Sequence, residues 1–516
     1  MKHNLTRWHK AFKAFLHPRV VTMLFFGFSA GIPILLIFSS LSLWLREAGV
    51  ERSAVTFFSW AALGYSFKFV WAPLVDQMPI PFLTRTFGRR RSWILASQAS
   101  IMAAIVWMAM IDPASERLSL MAMAAVFLGF SSATQDIAID AYRIESAGKE
   151  LQVMMASAYI AGYRIGMLVA GAGALFMADF LGSSKAVYNY SAWQTTYCVM
   201  AGVMIIGMAT AWIIREPDPG ERAASIYGSF SHARSFFLFL LAAAGFVFWF
   251  YSSAGLAEDL KSVLGQWSHN THLASFFVEA IRLAVGVGVA MLIARILTLA
   301  GVVDSKMVHA SYVAPVSDFF NRYGTSLAWL LLALIGLYRI SDIVLGVISN
   351  VFYQDLGFTK TQIASVVKTF GLFMTIAGGF LGGILSIKFG VIRILFAGAL
   401  LSSVTNLLFV AMAQTGPSLV FLYLVISADN LAGGLASAAF VAFLSSLTSV
   451  RFTAIQYAVF SSLMTLIPKV FSGYSGTIVD SLGYPVFFLI TALMGIPVLV
   501  LVVLCQKYLG QDGHTQ

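Results

Sequence analysis

In the stretch SSATQDIAIDAYRIES (131–146), Asp136, Asp140 and Arg143 recur at i, i+4 and i+7. A helix places all three on one face and turns Gln135 about 100° away. Two carboxylates and a guanidinium so arranged can exchange a proton or form a chain of ion pairs. The setting makes the pattern informative. It ends the apolar run MAAVFLGF, in a chain of 516 residues of which 59% are hydrophobic and only 11% charged. Soluble domains carry about 25% charged residues.

Such a composition requires an integral membrane protein. Apolar runs of roughly 20 residues recur along most of the length, which predicts transmembrane helices rather than a β-barrel. Fourteen spans are expected, near 20–44, 54–75, 93–111, 119–142, 152–177, 194–214, 235–256, 276–300, 327–351, 362–386, 391–413, 418–446, 453–477 and 485–506. The loops with Arg85, Arg89, Arg90 and Arg91, and with Arg215, Arg222 and Arg234, should face the cytoplasm together with both termini. The N-terminal segment, with Lys2, Arg7, Lys10, Lys13 and Arg19, reads as a basic surface-lying stretch, not a cleavable leader. Cys198 and Cys505 have no evident partner.

The two ends of the chain are weakly repeated. VDQMPIPFLTRTFGRRRSW matches GGILSIKFGVIRIL in kind, a helix end, a Phe-Gly turn and basic residues. AGAGALFMADFLG (170–182) has a counterpart in SGYSGTIVDSLG (472–483). The expected organisation is a basic segment (1–19), a six-helix bundle (20–216), a linker with two extra helices (217–326), a second six-helix bundle (327–506) and a tail (507–516). Repeats of this kind are typical of secondary transporters, which bind cargo between the repeats near the midplane.

Charges inside spans are costly and face the protein interior or a wet cavity. Asp136 lies about two turns from the inner end of its span. With Tyr163 and Arg164 near the middle of the next span, it is either a protonatable carboxylate beside a polar cavity or half of a structural ion pair. Asp140, Arg143 and Glu145 should lie at the inner mouth near Asp76 and the Arg89, Arg90, Arg91 cluster, as a salt-bridged gate or a surface anchor. Lys68, with Tyr65 and Trp71, either snorkels to the surface or lines a polar path. Arg339 and Asp342 form an i,i+3 pair that can neutralise itself. Lys368 is expected near the outer end of its span, where it could meet an anionic ligand. Asp429 and Asn430 precede the small-residue run LAGGLASAAF, and Lys469 follows a kink at Pro468.

Enzyme signatures are lacking. All eight histidines fall in loops or at ends, and His269 and His272, though at ligand spacing, have no carboxylate or Cys beside them. No GxxxxGK[ST] loop is present. A membrane-bound transferase or a non-transporting sensor is therefore the weaker alternative, no metal or cofactor is expected, and no nucleic acid or obligate protein partner is implied.

The chain resembles the AmpG muropeptide permeases of the major facilitator superfamily. The resemblance rests on FSAGIP (28–33), ALGYSFKFVWAPLVD (62–76), FGRRRSW (87–93), SSATQDIAIDA (131–141), GYRIGMLVAG (162–171), KTFGLF (368–373) and DNLAGGLASAAFVAFL (429–444). Acetyl-CoA transporters of the same superfamily carry a block like the fourth. The resemblance implies an all-α fold of two six-helix bundles with alternating access in a bacterial inner membrane. It implies proton-driven import of GlcNAc-1,6-anhydroMurNAc peptides for peptidoglycan recycling, with influence on β-lactamase induction. Asp136 would then couple to protons. Tyr65, Lys68, Gln135, Tyr163, Arg164, Lys368, Asn430 and Gln456 could supply hydrogen bonds, aromatic faces and cations to the cargo. One departure stands out: the surplus helices lie between the halves, whereas some AmpG proteins append them at the C-terminus.

Overall fold

The computed structural model describes residues 16–50, 65, 67–115, 118–184, 187–217, 229–268, 271–359, 362–472 and 475–511. Most of the span expected at 54–75, the segment before Leu16 and His269 lie outside the described residues. The helices are α1 (Pro18–Ile37), α2 (Ala72–Gln77), α3 (Arg89–Ala109), α4 (Leu118–Ser146), α5 (Lys149–Leu168), α6 (Tyr190–Val203), α7 (Ser229–Ser252), α8 (Ala254–Ser268) and α9 (Thr271–Leu299). There follow α10 (Ala314–Leu337), α11 (Ile340–Asp355), α12 (Gly371–Phe389), α13 (Val391–Thr415), α14 (Leu419–Leu447), α15 (Thr453–Ser472), α16 (Ser475–Leu493) and α17 (Gly495–Gln511).

Among the described residues, 11 helices are long and apolar enough to cross a membrane, or up to 12 with the bent pair Phe236–Ser252 and Ala254–Trp267. Fourteen is not reached on that basis. Pro33 and Pro468 lie inside α1 and α15 without ending them, as bilayer helices tolerate where neighbours satisfy the freed backbone. The long span His309–Tyr353 breaks at Tyr338 and Arg339, between α10 and α11. Lys368 falls in a π-helical stretch, Ile363–Phe370, a distortion frequent at functional sites.

The chain divides into two compact units, 1–220 with 320–516, and 221–319. In the second, α7 and α9 pack together: Trp249 Nε1 donates to the Arg282 carbonyl (3.0 Å), and Arg282 donates to Ser253 Oγ (2.9 Å) and lies over the Phe250 ring.

The first unit holds the N-terminal and C-terminal halves of the chain. α1 and α5 interlock through glycines. A Cβ on Gly27 would lie 2.0 Å from the Tyr159 carbonyl oxygen, one on Gly31 2.0 Å from that of Tyr163, and one on Gly162 1.9 Å from that of Leu24. Only glycine permits this backbone approach, the way small residues replace hydrophobic driving force inside a bilayer. FSAGIP and GYRIGMLVAG are thus two faces of one seam. Far from the Arg-rich end, Trp44 stacks on Trp193 (5.7 Å), and Glu47 accepts from Trp193 Nε1 (2.8 Å) and Ser183 (2.7 Å). In the C-terminal half, Phe352, Phe409 and Phe488 form the aromatic core beside a satisfied polar knot of Ser341, Asn406 and Thr491.

Candidate functional site

The last four turns of α4 carry the central chain of charges. Tyr159, one turn before the glycine seam on α5, donates to Asp136 Oδ1 (3.4 Å). Tyr65 donates to Ser132 (2.6 Å), and Trp71 Nε1 to Thr134 (3.1 Å), which fixes the end of the second span against α4. Lys68 Nζ lies 3.9 Å from Asp140 Oδ2 and also acts electrostatically on Asp136. One ammonium therefore serves two carboxylates a helical turn apart. Asp140 in turn accepts from Arg143 Nη2 (3.1 Å). Arg143 is fully buried; it donates to Ser445 Oγ on α14 (2.6 Å), and its guanidinium lies 5.0 Å from the centre of the Tyr457 ring on α15. The chain that starts at Asp136 ends on the other half of the protein.

A second link lies beside it. Arg90, at the start of α3, is fully buried and bonds Asp76 and Glu145. It also donates to Thr453 Oγ1 at the start of α15 (3.0 Å), and Thr453 donates to Glu145. Arg89 caps the Asp76 carbonyl, and Arg91 reaches the carbonyls of Ala211 and Trp212. The N–H groups of Arg90 and Arg91 meet the Glu216 carboxylate, as expected where an anion caps a helix N-terminus. A buried pair adds little net stability, because desolvation offsets most of the Coulomb gain. Removing one partner still costs about 3–5 kcal/mol. The cluster is thus poor ballast and a specific lock between α3, α4 and α15.

Helix packing agrees. α5 packs on α12 and α14, and α15 on α2 and α4. A Cβ on Gly383 of α12 would meet Ser157 Oγ of α5 at 2.3 Å. Each of these contacts joins the halves near the Arg-rich end.

In the C-terminal half, Arg339 at the α10–α11 break pairs with Asp342 (3.3 Å) and donates to Ser437 on α14 (3.0 Å). Asp429 lies within electrostatic range of Asp342. Lys368 and Lys469 are exposed.

Several expected partners differ. Asp136 and Arg164 share no hydrogen bond or ion pair among the described residues. Tyr159 meets Asp136, and Arg164 is five residues further on, about 140° round the helix and ~7.5 Å along it. Gln456 is engaged at the Arg-rich end, where its Oε1 accepts from Arg322 (2.9 Å) and the Ser449 N–H (2.7 Å). Asn430 ties α14 to α12 through Thr375 (2.8 Å). Lys68 pairs with Asp140. Gln135 is fully buried, and among the described residues neither amide atom has a hydrogen-bond partner. Tyr163 and Arg164 remain half-buried at mid-span. Sequence reasoning did not find Tyr159, Ser445, Thr453 and Tyr457. The last three have partners some 300 residues away, which no local pattern carries; Tyr159 meets its partner on the neighbouring helix at a phase the sequence does not single out.

Two helical halves joined at one end by buried polar contacts match the build of a major facilitator transporter. The solved structures agree. The proton:xylose symporter XylE superposes with a TM-score of 0.58 at 13% identity, covering 95% of this chain and 94% of that one. FucP in the outward conformation gives 0.59 at 12%, covering 95% and 99%. The fold is that of the major facilitator superfamily, a multi-pass membrane transporter fold. Its curated homologues carry the name AmpG or anhydromuropeptide permease. "Putative transporter AmpG 4" of Rickettsia felis is 28% identical over 495 residues, 96% of this chain and 98% of that one. The "Anhydromuropeptide permease" of Escherichia coli K12 is 28% identical over 499 residues, 96% and 82%. A family model described as "Acetyl-coenzyme A transporter 1" matches residues 20–215.

Proposed function

We propose that this chain imports anhydromuropeptides across a bacterial inner membrane in symport with protons, and so feeds wall recycling and influences β-lactamase induction. The full-length similarity to proteins named anhydromuropeptide permease supports the cargo. The observation that carries the mechanism is Lys68 shared between Asp136 and Asp140. With Asp136 ionised, two carboxylates divide the ammonium. A proton on Asp136 leaves Lys68 to Asp140 alone, where it competes with Arg143. Arg143 then loses the anchor that aims it at Ser445 and Tyr457, and the lock between the halves loosens. With the Arg-rich end in the cytoplasm, the closed lock corresponds to an outward-facing state, and protonation from outside favours inward opening. The proton thus biases a two-state element rather than pushing it.

The test is uptake of labelled anhydromuropeptide into proteoliposomes with an imposed pH gradient. Asp136→Asn should abolish gradient-driven accumulation and keep counterflow. A variant that accumulates cargo like the wild type would sink the coupling assignment. The acetyl-CoA reading has one observation in its favour, the family model over the N-terminal half. Competition by acetyl-CoA, and not by unlabelled muropeptide, would establish it instead.

A further inference from the structure

Ser157 of α5 faces Gly383 of α12, in the opposite half. Arg164 lies seven residues beyond, two turns further from the Arg-rich end and on the same face of the helix. It therefore points at the C-terminal half where the halves no longer touch through Ser157. It is half-buried and makes no hydrogen bond or ion pair among the described residues. The charge it meets electrostatically is Arg339, a second guanidinium. Arg339 spends one nitrogen on Ser437 and another on Asp342, which leaves it a further N–H edge. Two guanidiniums, one from each half and within electrostatic range of each other, repel until an anion stands between them. A cation without a counter-charge inside a span is an expensive feature to keep.

We propose that Arg164 and Arg339 together grip one carboxylate of the cargo, so that an anionic group sets the cargo's affinity. The assignment rests on the transport reading above and adds the chemistry of its site. Guanidiniums suit the role because their planar forks match a carboxylate in bidentate fashion. The grip also has a mechanical consequence. An anion shared by both halves replaces repulsion with attraction on the side away from the Arg-rich lock, which favours closure around the cargo. The neighbouring Asp342 and Asp429 set the limit. They keep Arg339 partly neutralised, so a cation-bearing cargo without a carboxylate gains nothing from the pair.

The experiment compares two cargoes in proteoliposomes: GlcNAc-anhydroMurNAc tripeptide with free carboxylates, and the same compound with its carboxylates amidated. Wild-type protein should take up the free acid with a KM at least tenfold lower. Arg164→Gln should raise the KM for the free acid roughly tenfold to a hundredfold, the usual worth of a charge-assisted bond, and leave its kcat and the amide's kinetics nearly unchanged. Arg164→Lys should recover part of the loss. Uptake of the amide by the variants doubles as the check that they fold. Equal KM values for the two cargoes in wild type, or an equal rise for both in Arg164→Gln, would overturn the pair as a carboxylate site while leaving muropeptide transport intact. Saturable uptake of neither by wild type would overturn both.

Discussion

Arg143→Met should open the Arg-rich end. The wild-type guanidinium makes two contacts that exist only while the halves are together there. One is the 2.6 Å bond to Ser445, the other the stack on Tyr457 at 5.0 Å. Hydrogen bonds from charged groups contribute about 1.5–3 kcal/mol, and a desolvated cation–π contact about 1–2 kcal/mol. Methionine keeps the apolar bulk and restores part of the packing on Tyr457. Asp140 keeps Lys68 as its partner, and the Arg90–Thr453 link remains. The net shift should be about 2–3 kcal/mol, or roughly 30- to 150-fold in the ratio of separated to joined halves. Spin labels on Thr86→Cys and Arg451→Cys, both exposed and on opposite halves, read that ratio by pulsed electron–electron distance measurement once Cys198 and Cys505 are replaced by serine. The expected result is a longer-distance population that grows in the Met variant. A ratio that moves less than about threefold would refute the view that Arg143 holds the halves together.

Gly27→Ala should lower the thermal midpoint in detergent, since overpacking costs about 1–3 kcal/mol and its Cβ would meet a backbone oxygen that cannot step aside. Gly202→Ala, with nothing within 4 Å, is the matched control and should leave the midpoint unchanged. Gly383→Val should force Ser157 away and lengthen the same spin-label distance as Arg143→Met; an unchanged distance would mean that α5 and α12 are not part of the lock. Arg282→Ala should speed hydrogen exchange in α7 and α9, which its side-chain bonds to Ser253 and the Phe250 carbonyl tie together, with no change in uptake. Loss of uptake would give the 221–319 unit a role beyond that of a spacer.

The spans were legible because hydropathy and length are local properties. The expected 391–413 is observed as Val391–Thr415 and 418–446 as Leu419–Leu447. Helical phase also put Asp136, Asp140 and Arg143 on one face of α4. Partnership was a different matter. That Arg164 and Asp136 lie on neighbouring helices says they can meet, but one residue turns a helix by 100°, and Tyr159 rather than Arg164 lies at the right phase. Gln456 reads in sequence as a hydrogen-bonding group for the cargo, and its position at the first turn of α15 also puts it within reach of Arg322. The partners of Arg90 and Arg143 on α14 and α15 are set by how two halves close, a tertiary fact with no periodicity to reveal it. Glycine was the reverse case. FSAGIP and GYRIGMLVAG carried the family resemblance, and the seam between α1 and α5 supplies the physical reason for their glycines.

The central claim is that a proton on Asp136 drives muropeptide accumulation through Lys68 and the Arg143 lock. Its most direct test is uptake of labelled anhydromuropeptide by the purified protein in proteoliposomes, inside alkaline, with and without a protonophore. Accumulation above equilibrium that collapses with the gradient, and that is lost in Asp136→Asn while counterflow persists, is the predicted result. Accumulation indifferent to the gradient, or equal in the wild type and Asp136→Asn, would contradict the account.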